Sequence, residues 1–440
     1  MSKRVYVETW GCQMNVHQSE RILGLFEQYG YVPTEEIATA DVVIFNTCAV
    51  RQKAEEKVYG RVGQVMELKK RRPVIFGFGG CIAQVRGEEL ISRFPVIDFL
   101  FGTSDLRALP GIVASVSADG KRIVHTPKPE GTEELPAVRM SSVSAMVTIT
   151  EGCSNFCSYC IVPYARGPLR SRPPEMILRE VEGAILAGYK EIILLGQNVD
   201  SYGRDRQEYG DFATLLEQVA RLGVPRIRFT SSHPRDMTER VLETIASHDN
   251  ICKHIHLAVQ SGSDRILREM NRGYTAEDFL KIVHRARELV PRINITTDLI
   301  VGYPGETEAD FQDTLELIKE ARFGTIFVAK YSPRPGTRSA RVPDDVPEEV
   351  KNARLQEVLS LARGIGLSLN ESFIGREIDV LIEGRNRNGD TYGRTDDHRT
   401  VILSGAQVQV GEFVSVRVTG ASASGLYGEL PMTARTKGEK

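Results

Sequence analysis

The chain has 440 residues, enough for two or three domains. Its hydrophobic (41%) and charged (26%) fractions are those of a globular protein, and no apolar run is long enough to span a membrane. A net charge of −2 excludes a chain that holds nucleic acid through bulk positive charge, so such a partner has to be read from local patches.

Met1-Ser2-Lys3-Arg4 leads straight into a strand-like Val5-Tyr6-Val7, without the pattern of a signal peptide. Strands are expected at Val5–Glu8, Val42–Asn46, Val74–Gly77 and Phe99–Phe101, with helices such as His17–Tyr29 and Lys53–Arg71 between them. This alternation predicts an open α/β domain over 3–118. Ser115 to Ala137 is polar and strand-poor, with Pro127, Pro129 and Gly131, and reads as a linker. Six strand–helix units follow, their strands at Met146–Thr150, Glu191–Leu195, Arg226–Thr230, His254–Val259, Ile293–Val301 and Thr325–Lys330. Six are too few to close an eight-stranded barrel, so 139–371 is expected to be a partial (β/α)6 barrel. From 372 to 435 short alternating strands (Ile378–Ile382, Thr400–Leu403, Phe413–Val418) predict a small antiparallel β-barrel. The fold class is α/β with this β-module appended.

Seven cysteines in so long a chain do not make a disulfide scaffold; with no secretion signal they point to a reducing, cytoplasmic setting. Cys153, Cys157 and Cys160 stand at C-x₃-C-x₂-C spacing just after the first barrel strand. Three thiolates can hold three irons of a 4Fe–4S cluster and leave the fourth open to another ligand. A zinc site is the alternative, but zinc usually takes four ligands and no fourth Cys or His lies nearby in sequence. Cys12, Cys48 and Cys81 each come just past the carboxyl end of a strand in the same expected sheet, the edge where open α/β sheets bind ligands. They read as a second three-thiol site, or as three small core residues. Cys252 has no partner in sequence and reads as structural.

Polar residues after other barrel strands, Gln197-Asn198, Gln260-Ser261 and the stretch from Asp298, are expected to line a cleft at the active-site end of the barrel. Tyr159, between the last two clustered cysteines, could pack against a bound nucleoside, or simply fill a turn. Basic runs occur at Arg166, Arg170 and Arg172, at Arg226, Arg228 and Arg235, and at Arg385, Arg387, Arg394 and Arg399. Solvated faces are the alternative. Residues 371–440 hold nine Lys and Arg against ten Asp and Glu, so the last module is not net basic.

The strings Gly11-Cys12-Gln13-Met14-Asn15, Asn46-Thr47-Cys48-Ala49-Val50-Arg51, Gly196-Gln197-Asn198-Val199 and Cys160-Ile161-Val162-Pro163-Tyr164-Ala165-Arg166-Gly167 resemble those of the radical S-adenosylmethionine methylthiotransferases, and the resemblance runs through all three blocks. Within that family they are similar to the branch that acts on tRNA, rather than to the branch that modifies an aspartate of a ribosomal protein. Trp10 and Ala165 depart from the usual tyrosine and threonine, and Asp396-Asp397 stand where basic residues are expected. The resemblance implies two 4Fe–4S clusters, one on Cys153, Cys157 and Cys160 and an auxiliary one on Cys12, Cys48 and Cys81. It implies S-adenosylmethionine as cofactor; the cleft residues Tyr159, Gln197, Asn198, Gln260, Ser261 and Asp298 are then expected as its contacts, with Arg272 for its carboxylate or for the RNA. It also makes the last module an RNA-binding TRAM domain; Arg385, Arg387, Arg394 and Arg399 there, and Arg166 after the cysteine loop, are the expected RNA contacts. The implied reaction replaces the hydrogen on carbon 2 of isopentenyladenosine, beside the anticodon of tRNA, by a methylthio group, using a 5′-deoxyadenosyl radical. A donor such as flavodoxin or ferredoxin would supply the electron. The competing class is an iron–sulfur protein that binds RNA or carries electrons without catalysis; six βα units with cofactor-like loops argue against it.

Overall fold

The computed structural model describes residues 2–49 and 52–431; Val50, Arg51 and positions 432–435 of the C-terminal block lie outside them. The run Val42–Thr47 is buried throughout, as a strand covered on both faces must be. Its side chains alternate between two cores: Val42 and Ile44 face one, Val43 and Phe45 the other. It sits inside a six-stranded, all-parallel sheet whose order is Val32–Pro33, Arg4–Thr9, Val42–Thr47, Ile75–Gly80, Phe99–Phe101, Ile123–His125. The order in which strands are added reverses between the parallel neighbours Arg4–Thr9 and Val42–Thr47, which makes their carboxyl ends a topological switch point. Gly77 and Gly79 leave room for the Phe99 and Phe101 rings; a Cβ on either would lie 2.1 Å from ring carbons.

The stretch expected to be a linker is built into the structure. Leu109–Asp119 is a helix, and Ile123–His125 pairs with Phe99–Phe101 as an edge strand. The chain beyond it straps the first domain to the barrel. Glu134 pairs with Arg172 at 2.8 Å, and Arg139 reaches Glu20 at 3.2 Å and Glu180 at 2.6 Å.

The six barrel strands run in two three-stranded parallel groups, Ser144–Thr148, Glu191–Leu195 and Arg226–Phe229, then His254–His256, Asn294–Val301 and Thr325–Lys330. The bridges Ile227–Ile251 and Ser232–Leu257 join the groups into one open, partial barrel. Amphipathic helices cover the outside. Ala276–Leu289 and Glu308–Ala321 both start on capping boxes, Thr275 with Asp278 and Thr307 with Asp310.

The C-terminal module is a closed five-stranded barrel rather than the three strands expected: Glu377–Arg385, Thr391–Arg394, Thr400–Leu403, Gly425–Glu429 and Phe413–Ser422. Thr400–Leu403 and Gly425–Glu429 pair in parallel, an exception to its antiparallel pattern. Its loop Thr395–Arg399 plugs the amino-terminal end of the large barrel. Arg226 Nη1 donates to the Arg394 carbonyl at 2.7 Å, Asn294 Nδ2 to the Asp397 carbonyl at 2.8 Å, and the His254 ring stacks on His398 at 4.7 Å. Arg228, fully buried, pairs with Glu191 at 3.1 Å in the same floor. Arg226 and Arg228 therefore hold the two modules together, in place of the expected basic patch. Among the described residues no helix is long and apolar enough to cross a membrane.

Candidate active site

Thr150–Glu151, just after the first barrel strand, pairs antiparallel with Arg170–Ser171 and closes a loop that carries Cys153, Cys157 and Cys160. Gly152 opens it at φ 76°, where a Cβ would lie 2.0 Å from the Pro168 carbonyl oxygen. Only glycine fits both that angle and that approach. The loop is tied down by Cys153 N to Gly167 O (3.1 Å), Cys160 N to Cys157 O (2.9 Å) and Ser158 N to Met270 O (2.9 Å). All three thiols are half-buried and free. Burial pushes the Cys153 thiol up, and pushes Cys160 up to about 12 with Cys157 adding to the effect. A bound cationic centre reverses that preference, since a coordinating thiol is deprotonated. Arg272, buried, donates to Cys157 Sγ at 3.3 Å and lies 3.5 Å from the Tyr159 hydroxyl. Tyr159 packs with Ile266, Met270, Tyr303 and Tyr331.

Cys12, Cys48 and Cys81 follow three strands that are neighbours in the sheet, in register at Thr9–Asn46 and Asn46–Gly79. Cys12 caps the helix Gln13–Gln28 and Cys81 is the first residue of Cys81–Arg93, positions where the helix dipole favours a thiolate. Gly11, at φ 127°, brings its backbone against Cys48; a Cβ there would be 2.4 Å from Cys48 Cβ. Asn15 fixes the group from within, donating to the carbonyls of Trp10 (3.0 Å) and Thr47 (2.9 Å). Its Oδ1 accepts from Arg166 Nη2 at 2.8 Å.

Arg166 belongs to the short helix Val162–Arg166 that follows Cys160, so it reaches from one cysteine group to the other. It is buried, and although desolvation opposes its charge, the neighbouring Cys81, Cys12 and Glu151 hold its guanidinium above the usual range. An RNA contact needs an accessible guanidinium; Arg166 is turned inward instead. Arg170 and Arg172 are likewise paired, with Glu151 at 3.3 Å and with Glu134 and Glu180 at 2.8 Å. Around them the domains meet on His17 Nδ1 to Thr148 Oγ1 (2.7 Å), Thr103 Oγ1 to Ala165 O (2.7 Å) and Arg21 to Glu151 (3.1 Å).

In the cleft, Gln197 Oε1 accepts from Gly152 N at 2.5 Å. Asn198 and Asn155 both donate to Asp236, which is buried and follows the third barrel strand. Burial opposes the Asp236 charge, but Asn198, Arg204 and His233 hold its carboxyl below the usual range. Asp200 next to it accepts from His233 N (2.9 Å), and its burial raises it to about 7. Thr150 Oγ1, Gln197 Nε2, Asn198 Oδ1 and His233 Nε2 are buried without a hydrogen-bond partner in the protein. Each such orphan costs about 1–3 kcal/mol until a ligand or water satisfies it. Asp298 is accessible and meets His256 at 3.2 Å. Gln260, at φ 74°, bridges to Leu299 through its backbone. Ser261 turns away from the cleft, its hydroxyl 3.4 Å from Thr314 Oγ1. Sequence reasoning missed Asp236, Asp200, His233 and Arg204; the polar run Ser231 to Asp236 after a barrel strand was the available signal.

Of the module's arginines, Arg385 and Arg387 are exposed and Arg394 is half-buried beside Glu383 at 3.6 Å. Arg399 is tucked in, donating to Asn370 Oδ1 at 2.9 Å, pairing with Asp397 and lying over the Phe373 ring at 4.5 Å.

Residues 147–318 match the Radical SAM superfamily, 4–102 the Uncharacterized protein family UPF0004, and 371–430 the TRAM domain. Membership of the first implies S-adenosylmethionine and a 4Fe–4S cluster. Among solved structures, the radical S-adenosylmethionine methyltransferase TsrM of Kitasatospora setae shares the fold at a TM-score of 0.58 and 15% identity, over 77% of this chain and 74% of that one. The tRNA-2-methylthio-N(6)-dimethylallyladenosine synthase of Carboxydothermus hydrogenoformans is 45% identical over 97% of this chain and 99% of its own. The synthase of the same name from Clostridium novyi is 44% identical over 98% and 97%. Identity at that level, over nearly the whole of both chains, shows that the chain belongs to the tRNA-2-methylthio-N(6)-dimethylallyladenosine synthase family.

Proposed function

We propose that the protein replaces the carbon-2 hydrogen of isopentenyladenosine, next to the anticodon of tRNA, by a methylthio group. The observation that carries this reading is Arg166, which leaves the short helix after Cys160, donates to Asn15 and lies beside Cys12 and Cys81, so that both cysteine-bearing strand ends meet one side chain. Cys153, Cys157 and Cys160 would hold one 4Fe–4S cluster, and Cys12, Cys48 and Cys81 a second. When bound, such centres supply an electron for radical formation from S-adenosylmethionine, and a site from which sulfur is delivered. Arg272 supplies a positive charge beside Cys157, and the buried atoms of Thr150, Gln197 and Asn198 that lack a protein partner are assigned to S-adenosylmethionine. Gln197 also fixes the entry to the cysteine loop through Gly152 N. Tyr159, Gln260 and Asp298 complete the cofactor assignments, Gln260 through its backbone, while Ser261 seats the helix Glu308–Ala321 instead.

Three functional units carry the work: 3–118 the sulfur-delivering domain, 139–371 the radical domain and 372–435 the RNA-binding domain. Arg385, Arg387 and Arg394 of the last unit face the tRNA, while Arg399 shapes its surface from below. Flavodoxin or ferredoxin delivers the electron, and the reaction runs in the cytoplasm.

The reading is tested by iron content and products of anaerobically reconstituted protein. Wild type should carry about eight irons, and Cys153→Ala and Cys12→Ala about four each. Cys153→Ala should abolish cleavage of S-adenosylmethionine; Cys12→Ala should keep cleavage and lose sulfur insertion. Full methylthio product from Cys12→Ala would refute the assignment of the second site.

A further inference from the structure

Beside the clustered cysteines the surface leaves two aromatic rings in water. Phe156 is 53% and Tyr164 50% exposed, and their rings meet edge to face with centroids 6.5 Å apart. Phe156 also has φ 48°, a left-handed backbone that a bulky residue adopts only under constraint. Asn271 Nδ2 holds it there, donating to the Phe156 carbonyl at 3.1 Å. A strained backbone and an exposed ring at one position, one residue before Cys157, are hard to explain by stability.

Two arginines are tied to the same loop through Asn155 and Asp236. Arg204 is 50% and Arg235 39% exposed, and both lean on Asp236, which is fully buried. Arg235 also donates to Asn155, the residue before Phe156. Asp236 accepts from Asn155 and Asn198 as well, so Arg204 is anchored through Nη1 and Arg235 through Nε and Nη2, while both side chains stay partly in water.

We propose that Phe156 and Tyr164, with Arg204 and Arg235, form a cradle for the splayed nucleotides flanking the reacting adenine of a single-stranded RNA loop. This rests on the RNA reading above and adds where the strand lies. The rings stack flanking bases, and the guanidiniums take phosphates. Stacking planes beside anchored cations suit unpaired RNA, whose bases are free to leave the helix. The positive charge at this mouth matches a phosphate backbone.

The test uses the full chain, reconstituted anaerobically, and an anticodon stem–loop RNA bearing isopentenyladenosine with 2-aminopurine beside it. Wild type should bind the RNA and quench the 2-aminopurine. Phe156→Ala and Tyr164→Ala should each weaken binding about tenfold and relieve the quench, while Phe156→Tyr and Tyr164→Phe keep both. Arg204→Gln and Arg235→Gln should each lower the slope of log affinity against log salt by about 0.7. Iron content is measured on every preparation; if Phe156→Ala loses iron, Tyr164→Ala and Arg204→Gln decide. Wild-type affinity and quench in those two variants would overturn the cradle and leave the RNA reading standing. Failure of wild type to bind the loop, with binding of an aspartate-bearing ribosomal-protein peptide instead, would overturn both.

Discussion

Arg166→Met removes a side chain that reaches from one cysteine group to the other, and its consequence can be sized. Arg166 Nη2 is 2.8 Å from Asn15 Oδ1, and Cys12 Sγ is 3.9 Å from the same atom, so guanidinium and thiol are within about 7 Å of each other. A unit charge at that distance is worth about 2.5 kcal/mol at an effective dielectric of ~20. For a one-electron couple this corresponds to a shift on the order of 100 mV. Losing the cation disfavours adding an electron, so the potential of a cluster held by Cys12, Cys48 and Cys81 should fall by that amount. Arg166→Lys, which keeps the charge, should shift it much less. The assay is a redox titration followed by electron paramagnetic resonance, in a Cys153→Ala background that leaves only the second cluster. The Asn15 amide oxygen also loses its guanidinium donor and keeps only the weak Cys12 thiol, so the iron-free protein should be destabilised by about 1 kcal/mol in denaturant melts. An unchanged potential in Arg166→Met, with the second cluster loaded, would refute the inward role of this residue.

Gly152→Ala places a Cβ against the Pro168 carbonyl at a positive φ, so it should displace the cysteine loop and cut the iron bound by Cys153, Cys157 and Cys160, measured in a Cys12→Ala background. His17 gives the domain interface a pH dependence. Burial lowers it to about 4, against the pull of Glu180, so the native state binds fewer protons than the unfolded chain between about 6.5 and 4. Stability should therefore fall as pH drops through that window, and His17→Gln should flatten the fall in melts followed by fluorescence. Arg399→Ala should lower stability of the C-terminal module, whereas Arg385→Gln and Arg387→Gln should leave melting unchanged and weaken tRNA binding at low salt. Gel-shift titrations against the melting curves separate the two outcomes.

The strands buried on both faces were legible because a continuous apolar run such as Val42–Thr47 leaves little choice. Short edge strands were not. Val32–Pro33 has two residues, and Ile123–His125 runs into Pro127 and Pro129, which read as loop. In the C-terminal module Gly393 and Gly428 hid two strands. They sit there because a Cβ would strike Leu381 O at 2.2 Å and Val416 Cγ1 at 2.3 Å, a closeness that only the closed barrel creates. The spacing of Cys153, Cys157 and Cys160 could be read locally. The neighbourhood of Cys12, Cys48 and Cys81 required placing each on a strand end. The direction of an arginine could not be read at all. Arg166 meets Asn15 across 151 positions and Arg226 meets Arg394 across 168, so burial of both follows from domain docking rather than local pattern.

The most direct test of the proposed function is mass spectrometry of tRNA nucleosides from cells lacking this protein. The account predicts that the methylthio mark on isopentenyladenosine disappears, that isopentenyladenosine accumulates in its place, and that the wild-type gene restores the mark while the Cys12→Ala and Cys153→Ala forms do not. Persistence of the mark in those cells, with no second enzyme of this kind present, would contradict it.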